Sequence, residues 1–220
     1  KTFQMVENMN SKTNTYNTVA FHDSNRFFEY EAWQKSNRVP HNTFFLFNKY
    51  IGRDMDDPYS SKLFKLHHDD YKLVKENGET FFEMKDWRLP EGSSTHPRLN
   101  GKTLIRFEEA IGMILEHARK LADKYCEEKA QDAYFSVPPW WTPVERKALV
   151  SAAKLGNFTV LGMSSENTGS AIYHAVNRQK GAKDENILFV NMGTQSLKLS
   201  LFRFELITDE KKRQRETFKL

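Results

Sequence analysis

Residues 186–204, NILFVNMGTQSLKLSLFRF, predict a strand, a turn built on Gly193, and a second strand. A metal ion or an attacking water brought to such a turn needs a carboxylate to hold or activate it. No Asp or Glu occurs between Glu185 and Glu205. We therefore expect this turn to offer no acid to a metal ion or to an attacking water.

Three further stretches carry residues that could do chemistry: FNKYIG around Lys49, VPPWWTPVERKAL from Val137, and the turn SSENTGSA from Ser164. From its residue type alone, Lys49 would be a solvated helix lysine. Glu166 could satisfy the free N–H groups at a helix start. Side chains of adjacent residues in an extended segment point to opposite sides, so we expect one of the two tryptophans to be exposed.

The composition is that of a folded protein. The chain has 220 residues, of which 39% are hydrophobic and 28% charged, which is enough for one large domain or two small ones. No apolar run is long enough to span a membrane, and the single cysteine excludes an internal disulfide. The net charge is +4, but acids and bases are interspersed. For the basic run KKRQR, 211–215, we expect a solvated hairpin tip rather than a nucleic-acid contact.

The spacing of apolar residues predicts the order of the elements. Short strands open the chain, two short helices occupy 31–53, and KLFKL, YKLV and TFFEM indicate a small sheet between 54 and 100. Residues 106–125 form the strongest amphipathic helix. Beyond it we expect a strand at 132–137, a helix from Thr142 to Gly156, a strand at 158–163, a helix at 165–179 and a strand at 186–190. This alternation is typical of an α/β fold. The run HHDD, 67–70, has metal-binding residue types, but adjacent side chains diverge and we expect no metal site.

In their order and spacing, the four stretches resemble the nucleotide-binding domain of the heat-shock protein 70 (Hsp70) chaperone family. The corresponding family stretches are AKRLIG, VPAYFNDSQRxA, INEPTAAA and FDLGGGTFDVS. The resemblance covers essentially the whole chain. Asn167 in place of a proline, and the pair Glu145-Arg146, are most similar to the large glucose-regulated, hypoxia up-regulated branch of the endoplasmic reticulum.

The resemblance implies an α/β fold of the actin/hexokinase (ribonuclease H-like) type, present as a first lobe plus the start of a second. It implies that 1–180 form the first lobe, with a small inserted subdomain at about 17–96, and that 181–220 form the opening β-hairpin of the second lobe. The family's first phosphate turn would precede Lys1, so we expect the domain to be incomplete.

The resemblance also implies that the turn after residue 190 cradles the phosphates of ATP. Here the family's leading aspartate is replaced by Asn191, and of three glycines only Gly193 remains. Thr194 takes the place of the next glycine, Ser196 that of a threonine, and Lys198 that of a second aspartate. Because an amide supplies no negative charge, we expect slow or absent hydrolysis, at most weak ATP or ADP binding, and no firm hold on Mg²⁺.

Three more groups of residues take their roles from the resemblance alone. Lys49 matches a lysine that contacts the phosphates and the attacking water, and would be a catalytic relic here. Glu166 and Thr168 match a turn beside the nucleotide. Pro138, Trp140 and Arg146 match a strand-to-helix corner that faces a partner or an interdomain linker.

The function that the resemblance implies is that of a divergent chaperone domain. It would act as a chaperone or nucleotide exchange factor for an ATP-driven chaperone in the lumen of the endoplasmic reticulum, with cytoplasmic location as the alternative. Its partners would be an Hsp70-type chaperone and unfolded proteins, without nucleic acid or membrane insertion. Two alternatives stay open: an ATP-hydrolysing chaperone of the same family, and a structural scaffold that binds no nucleotide.

Overall fold

The computed structural model describes residues 4–67, 72–85, 98–99, 102–177, 184–193, 196–208 and 214–219. The chain forms two compact units. Unit 1 is Lys1–Ala133 with Thr142–Leu161, and unit 2 is Tyr134–Trp141 with Gly162–Leu220. Helices and strands occur in both units, in agreement with the predicted α/β class.

Seven strands of unit 1 build two antiparallel sheets. The strands are β1 (Thr18–His22), β2 (Asn25–Phe28), β3 (Thr43–Phe45), β4 (Lys72–Glu76), β5 (Glu79–Met84), β6 (Arg98–Leu99) and β7 (Lys102–Arg106). One sheet has the order β2-β1-β3 and the other β4-β5-β7-β6. The two-residue turn between β1 and β2 places Asp23 and Ser24 at φ 46° and 62°, the left-handed geometry that a tight hairpin needs.

The helices of unit 1 are α1 (Glu29–Lys35), a 3₁₀ helix (Pro40–Asn42), α2 (Phe47–Tyr50), α3 (Pro58–His67), α4 (Phe107–Cys126) and α5 (Pro143–Leu155). The predicted amphipathic helix at 106–125 is α4. The predicted start of α5 is confirmed as well, since the Thr142 hydroxyl accepts the Val144 N–H at 3.3 Å and Pro143 occupies the first turn. No helix among the described residues combines the length and the apolar character needed to span a bilayer.

One predicted strand is a helix. The segment KLFKL, 62–66, was expected in a small sheet but lies within α3. The reason is local: Pro58 fixes the first helical residue, and the Asp57 carboxylate accepts the Ser60 N–H at 2.8 Å. This start signal outweighs the strand-like pairing of apolar residues.

The core of unit 1 is rich in aromatic rings. Phe44 and Phe82 stack with their centroids 4.3 Å apart, and Phe107 meets Phe82 edge to face at 4.7 Å. All three are buried. Through these contacts the two sheets and the first turn of α4 share one hydrophobic cluster.

Two glycines allow α4 and α5 to approach closely. A Cβ on Gly112 would lie 2.8 Å from the Cβ of Leu155, and a Cβ on Gly156 would lie 2.9 Å from that of Leu115. Real Cβ atoms do not approach so near, so any larger residue would move one helix. Glycine at these two positions leaves no side chain between the helices, so the backbones can approach each other closely.

Unit 2 contains α6 (Glu166–Asn177) and the strands β10 (Glu185–Met192), β11 (Leu197–Thr208) and β12 (Gln214–Lys219), which form an antiparallel sheet in that order. The strands β8 (Asp132–Val137) and β9 (Thr159–Ser165) form a two-stranded sheet. One face of the three-stranded sheet packs Phe202 and Phe204 against Ala171 and Ala175 of α6. The other face exposes a row of apolar side chains: Leu188, Val190, Met192, Leu197, Leu199 and Leu201.

The basic run KKRQR is only partly as expected. Lys211–Arg213 lie outside the described residues, but Gln214 and Arg215 belong to β12 and pair with Thr208 and Ile207. The predicted hairpin is therefore present, and its second strand begins within the basic run.

Candidate functional site

The predicted phosphate turn is the tight connection between β10 and β11. The Gly193 N–H donates to the Ser196 carbonyl at 2.9 Å and closes the turn. Thr194 lies outside the described residues. Asn191 is exposed and lies opposite Lys198 in the strand register. Because the Gly193 N–H is already used within the turn, it is not free to face a phosphate.

The first turn of α6 lies against β11 and brings two predicted groups together. The Glu166 carboxylate forms an ion pair with the Lys198 ammonium, and both side chains are largely buried, at 26% and 16% exposure. The next residue, Asn167, is 1% exposed, and its amide donates to the Ser200 hydroxyl at 2.9 Å. Thr168 follows in the same turn and is half-buried. The predicted turn at Glu166 is therefore attached to the predicted phosphate strand through side chains.

The ion pair decides the electrostatics of this site. Lys198, for which the resemblance predicts the place of a family carboxylate, has its charge balanced by Glu166. Glu166 lies in the first turn of α6, where the helix dipole also favours a negative charge. Neither group is left with an unbalanced charge for an external ligand.

These residues fit a magnesium–triphosphate group poorly. Asn191 supplies a neutral amide, and the Glu166 carboxylate is engaged by an ammonium group. No group of three or more His, Cys, Asp or Glu side chains that could hold a metal ion occurs in the parts of the chain that the structure describes. Of the run HHDD, His67 is the last residue of α3, and 68–70 lie outside the described residues.

Lys49 belongs to α2 in unit 1. This four-residue helix follows Leu46, whose φ of 62° turns the chain sharply, and the Lys49 N–H donates to the Leu46 carbonyl at 2.8 Å. When FNKYIG and the family motif AKRLIG are matched at their shared Ile-Gly pair, Lys49 lies opposite the arginine, and Asn48 lies opposite the lysine. The assignment of Lys49 as the phosphate lysine thus requires a shift of one residue within this helix.

A cluster that the sequence did not predict connects the end of α2 to the start of α5. Arg53 Nη2 lies 2.7 Å from Glu145 Oε1, and Arg53 Nη1 lies 3.2 Å from Asp57 Oδ2. Glu145 Oε2 accepts the Thr142 N–H at 2.9 Å. We call Arg53, Glu145 and Asp57 the Arg53 clamp. One guanidinium thereby joins the acid that caps α5 and the acid that caps α3.

Backbone contacts tighten the same junction. Gly52 has φ 67°, and a Cβ there would lie 3.0 Å from the Glu145 Cα and 3.1 Å from the Val144 carbonyl oxygen. Arg146, the predicted partner-facing residue, follows directly in α5 and is half-buried. The clue available in the sequence was the capping box of Thr142 with Glu145, which leaves one carboxylate oxygen for a cation.

The pKa values of both acids in the Arg53 clamp lie below their usual values. For Asp57 the main cause is the hydrogen bond from the Ser60 N–H, assisted by its hydroxyl and by Arg53. For Glu145 burial raises the pKa, but the hydrogen bonds from Thr142 and the charge of Arg53 outweigh it. Both acids are therefore charged at neutral pH.

The corner that precedes α5 contains the two adjacent tryptophans. Pro138 is buried, and its carbonyl accepts the Trp141 N–H at 3.1 Å. Trp141 is 8% exposed and Trp140 is 44% exposed. The prediction that one of the two is exposed is confirmed. Pro138 and Trp140 belong to unit 2, whereas Lys49 and Arg146 belong to unit 1.

Comparison with known proteins gives a consistent family match. The family model described as Hsp70 protein matches residues 1–207. Hypoxia up-regulated protein 1 of Xenopus laevis is 29% identical over 207 residues, which cover 93% of this chain and 30% of that protein. The proteins of the same name from Homo sapiens and Gallus gallus are 25% and 26% identical, again over 93% of this chain and over 19% and 20% of their own length. The chain thus spans less than a third of the length of these relatives.

Proposed function

Since this chain belongs to the Hsp70 family, we propose that it is part of a divergent nucleotide-binding domain that has lost most or all ATP hydrolysis. The family's domain has the actin/hexokinase-like α/β fold, and the order of helices and strands here is consistent with part of it. In the proposed organisation, 1–180 form a first lobe with an inserted subdomain at about 17–96, and 181–220 open a second lobe.

The observation that carries the proposal is the charge pattern at the β10–β11 turn. Two positions of the family motif that hold carboxylates are occupied by Asn191 and Lys198, and the nearest acid, Glu166, is neutralised by Lys198. A site that stabilises a transferring phosphoryl group with a metal ion depends on such acids.

Binding of nucleotide is a separate property from hydrolysis. We propose weak binding of ATP or ADP, with contacts from Ser196, Thr168 and the residues around Gly193 and Thr194, and with Lys49 as a relic. Mg²⁺ would add little, because its usual carboxylate partner is an amide.

In the proposed role, the protein assists an Hsp70-type chaperone and unfolded proteins as a chaperone or nucleotide exchange factor. The resemblance to hypoxia up-regulated proteins suggests the lumen of the endoplasmic reticulum, with the cytoplasm as the alternative. The proposed contact residues are Pro138 and Trp140 in unit 2 and Arg146 in unit 1. Half-exposed tryptophans are frequent anchors of protein interfaces, which supports Trp140 in this role.

Two assays test the proposal. Calorimetric titration with ATP, with and without Mg²⁺, followed by a turnover assay, should give weak binding and no hydrolysis above background. The variant Asn191→Asp should restore magnesium-dependent binding, whereas Asn186→Asp, the same change at the other end of β10, should not. Sustained hydrolysis by the unmodified chain would reject the proposal in favour of an active ATPase.

The partner role is tested by release of labelled ADP from a lumenal Hsp70-type chaperone. We expect the chain to accelerate release and Trp140→Ala to reduce that acceleration. A chain that neither accelerates release nor forms a complex with the chaperone would instead support a structural scaffold.

A further inference from the structure

A cleft of about 700 Å³ lies in unit 1, away from every motif residue considered so far. Three segments form its walls: the turn between β1 and β2, the segment from Arg38 to Asn42, and Lys85 directly after β5. Its volume is in the range of sites that hold small ligands.

The charges in this cleft are predominantly positive. Arg38 and Lys85 are permanent cations, and His22 and His41 add two imidazoles. The one carboxylate in the lining belongs to Asp23, which is 3.2 Å from His22 Nε2. Within the described residues, the Arg38 and Lys85 side chains form no ion pair. Two cations of the cleft thus have no ion-pair partner in the part of the chain that the structure describes.

Several other cations of unit 1 are paired. Lys72 lies 3.1 Å from Glu83, and Arg119 lies 2.6 Å from Asp123. These pairs show how acids and bases that alternate along the sequence meet in the folded chain. Among the described residues Arg38 and Lys85 form no such pair, and both of them line one concave surface.

The rim of the cleft is held in place by buried hydrogen bonds. Asn42 is 8% exposed; its amide donates to the Lys85 carbonyl at 2.6 Å and accepts the Lys85 N–H at 2.8 Å. The Thr43 hydroxyl donates to the Val39 carbonyl at 2.9 Å. The backbone that carries Lys85 is thereby fixed to the segment that carries Arg38 and His41. The backbone positions of the two cations are therefore fixed before an anion binds, which lowers the entropic cost of binding.

A second cleft of similar size shows why charge sign matters here. It has a volume of about 720 Å³ and lies between α4 and α5. Basic residues and carboxylates line this cleft in equal numbers. Two of the basic residues are already paired, Arg53 with Glu145 and Arg106 with Glu79. That cleft offers no net attraction to an anion.

We propose that the cleft beside Arg38 binds a multivalent oxyanion of the di- or triphosphate class. Arg38 binds phosphate oxygens through its planar guanidinium, and Lys85 contributes a second positive charge. The imidazoles of His22 and His41 donate further hydrogen bonds. The site is independent of the proposed nucleotide turn, because no residue of that turn belongs to it.

The probe is inorganic pyrophosphate, titrated calorimetrically into the 220-residue chain at low ionic strength. We expect Arg38→Gln and Lys85→Gln each to weaken binding on the order of tenfold, since each removes a charge-assisted contact. Lys129→Gln is the matched control, because it removes the same charge from an exposed site outside the cleft. It should leave the affinity unchanged within about twofold.

Two further arms make the outcome decisive. Arg38 and Lys85 are exposed, so circular dichroism should show both variants folded. ADP is titrated in parallel. If Arg38→Gln weakens the binding of both ADP and pyrophosphate, the cleft binds any molecule that bears a diphosphate group. If it weakens the binding of pyrophosphate alone, the cleft binds the inorganic anion. No binding of pyrophosphate by the unmodified chain, or equal weakening by Lys129→Gln, overturns the proposal.

Discussion

Replacing Arg53 by methionine tests the Arg53 clamp. The change keeps most of the side-chain volume and removes the guanidinium that lies 2.7 Å from Glu145. Glu145 is 3% exposed, so its charge would lose a counter-ion without gaining water. Breaking a buried ion pair from one side costs about 3–5 kcal/mol. Thr142 continues to donate to Glu145, and Arg53 itself is 22% exposed. We therefore expect a loss of about 2–3 kcal/mol in the free energy of unfolding.

The assay is urea denaturation followed by circular dichroism, with hydrogen exchange of the first-turn amides of α5 as a local measurement. Lys75→Met is the matched control, because Lys75 pairs with Asp54 at 2.8 Å while both side chains are more than a third exposed. An exposed pair contributes less than about 1 kcal/mol. The double variant Arg53→Met/Glu145→Gln should lose at least about 1 kcal/mol less than the sum of the single variants, because the buried charge of Glu145 is no longer left unpaired, while the loss at Asp57 is the same with or without the Glu145 change.

The reasoning is refuted by either of two results. One is a cost for Arg53→Met no larger than that for Lys75→Met. The other is additive behaviour of the Arg53 and Glu145 substitutions, which would mean that the short distance between the two groups carries no coupling free energy.

Three other predictions concern pH, helix spacing and the two faces of β11. Folding lowers the pKa values of Glu145 and Asp57. The contribution of these two acids to stability is therefore complete above their unfolded-state pKa values and is lost as the pH falls through their folded-state pKa values. Urea midpoints measured from pH 7 down to pH 3 should decrease, and they should decrease less steeply for Glu145→Gln. Gly112→Ala should destabilise by about 1–3 kcal/mol in thermal unfolding although alanine favours helices, because its Cβ would lie 2.8 Å from that of Leu155; a gain in stability would contradict the close approach. Phe202→Ala should lower the free energy of unfolding by about 3 kcal/mol, because Phe202 is buried. Leu199→Lys, on the exposed face of the same strand, should lower it by less than about 0.5 kcal/mol and should reduce light scattering by the protein. Equal losses of stability would contradict the assignment of one buried and one exposed face.

Local signals in the sequence predicted the elements that have strong local causes. The α4 helix has a long apolar stripe, and α5 has a hydroxyl cap followed by a proline, so both were predicted with nearly correct ends. The α3 helix was missed because its start depends on a side chain, Asp57, just outside the apolar pattern. Short elements such as α2 depend on tertiary packing more than on their own sequence.

In the candidate site, too, features that depend on single residues could be predicted from the sequence, whereas contacts between distant residues could not. The proposal that Asn191 stands in place of a family carboxylate needs only the resemblance and the identity of one residue. The ion pair of Lys198 with Glu166 could not, because the two residues are 32 positions apart and meet only when α6 lies on β11. The Arg53 clamp joins residues even farther apart in the chain, and only the folded arrangement reveals it.

The glycine contact between α4 and α5 has a consequence for how substitutions propagate. Interlocked side chains can absorb a small intrusion by changing rotamers, but two bare backbones at Gly112 and Gly156 have nothing that can turn aside. A single methyl group there acts as a wedge and displaces α5 as a rigid rod. The far end of that rod carries Glu145, so the addition of one methyl group at one end should be detected as a weakened contact with Arg53 at the other.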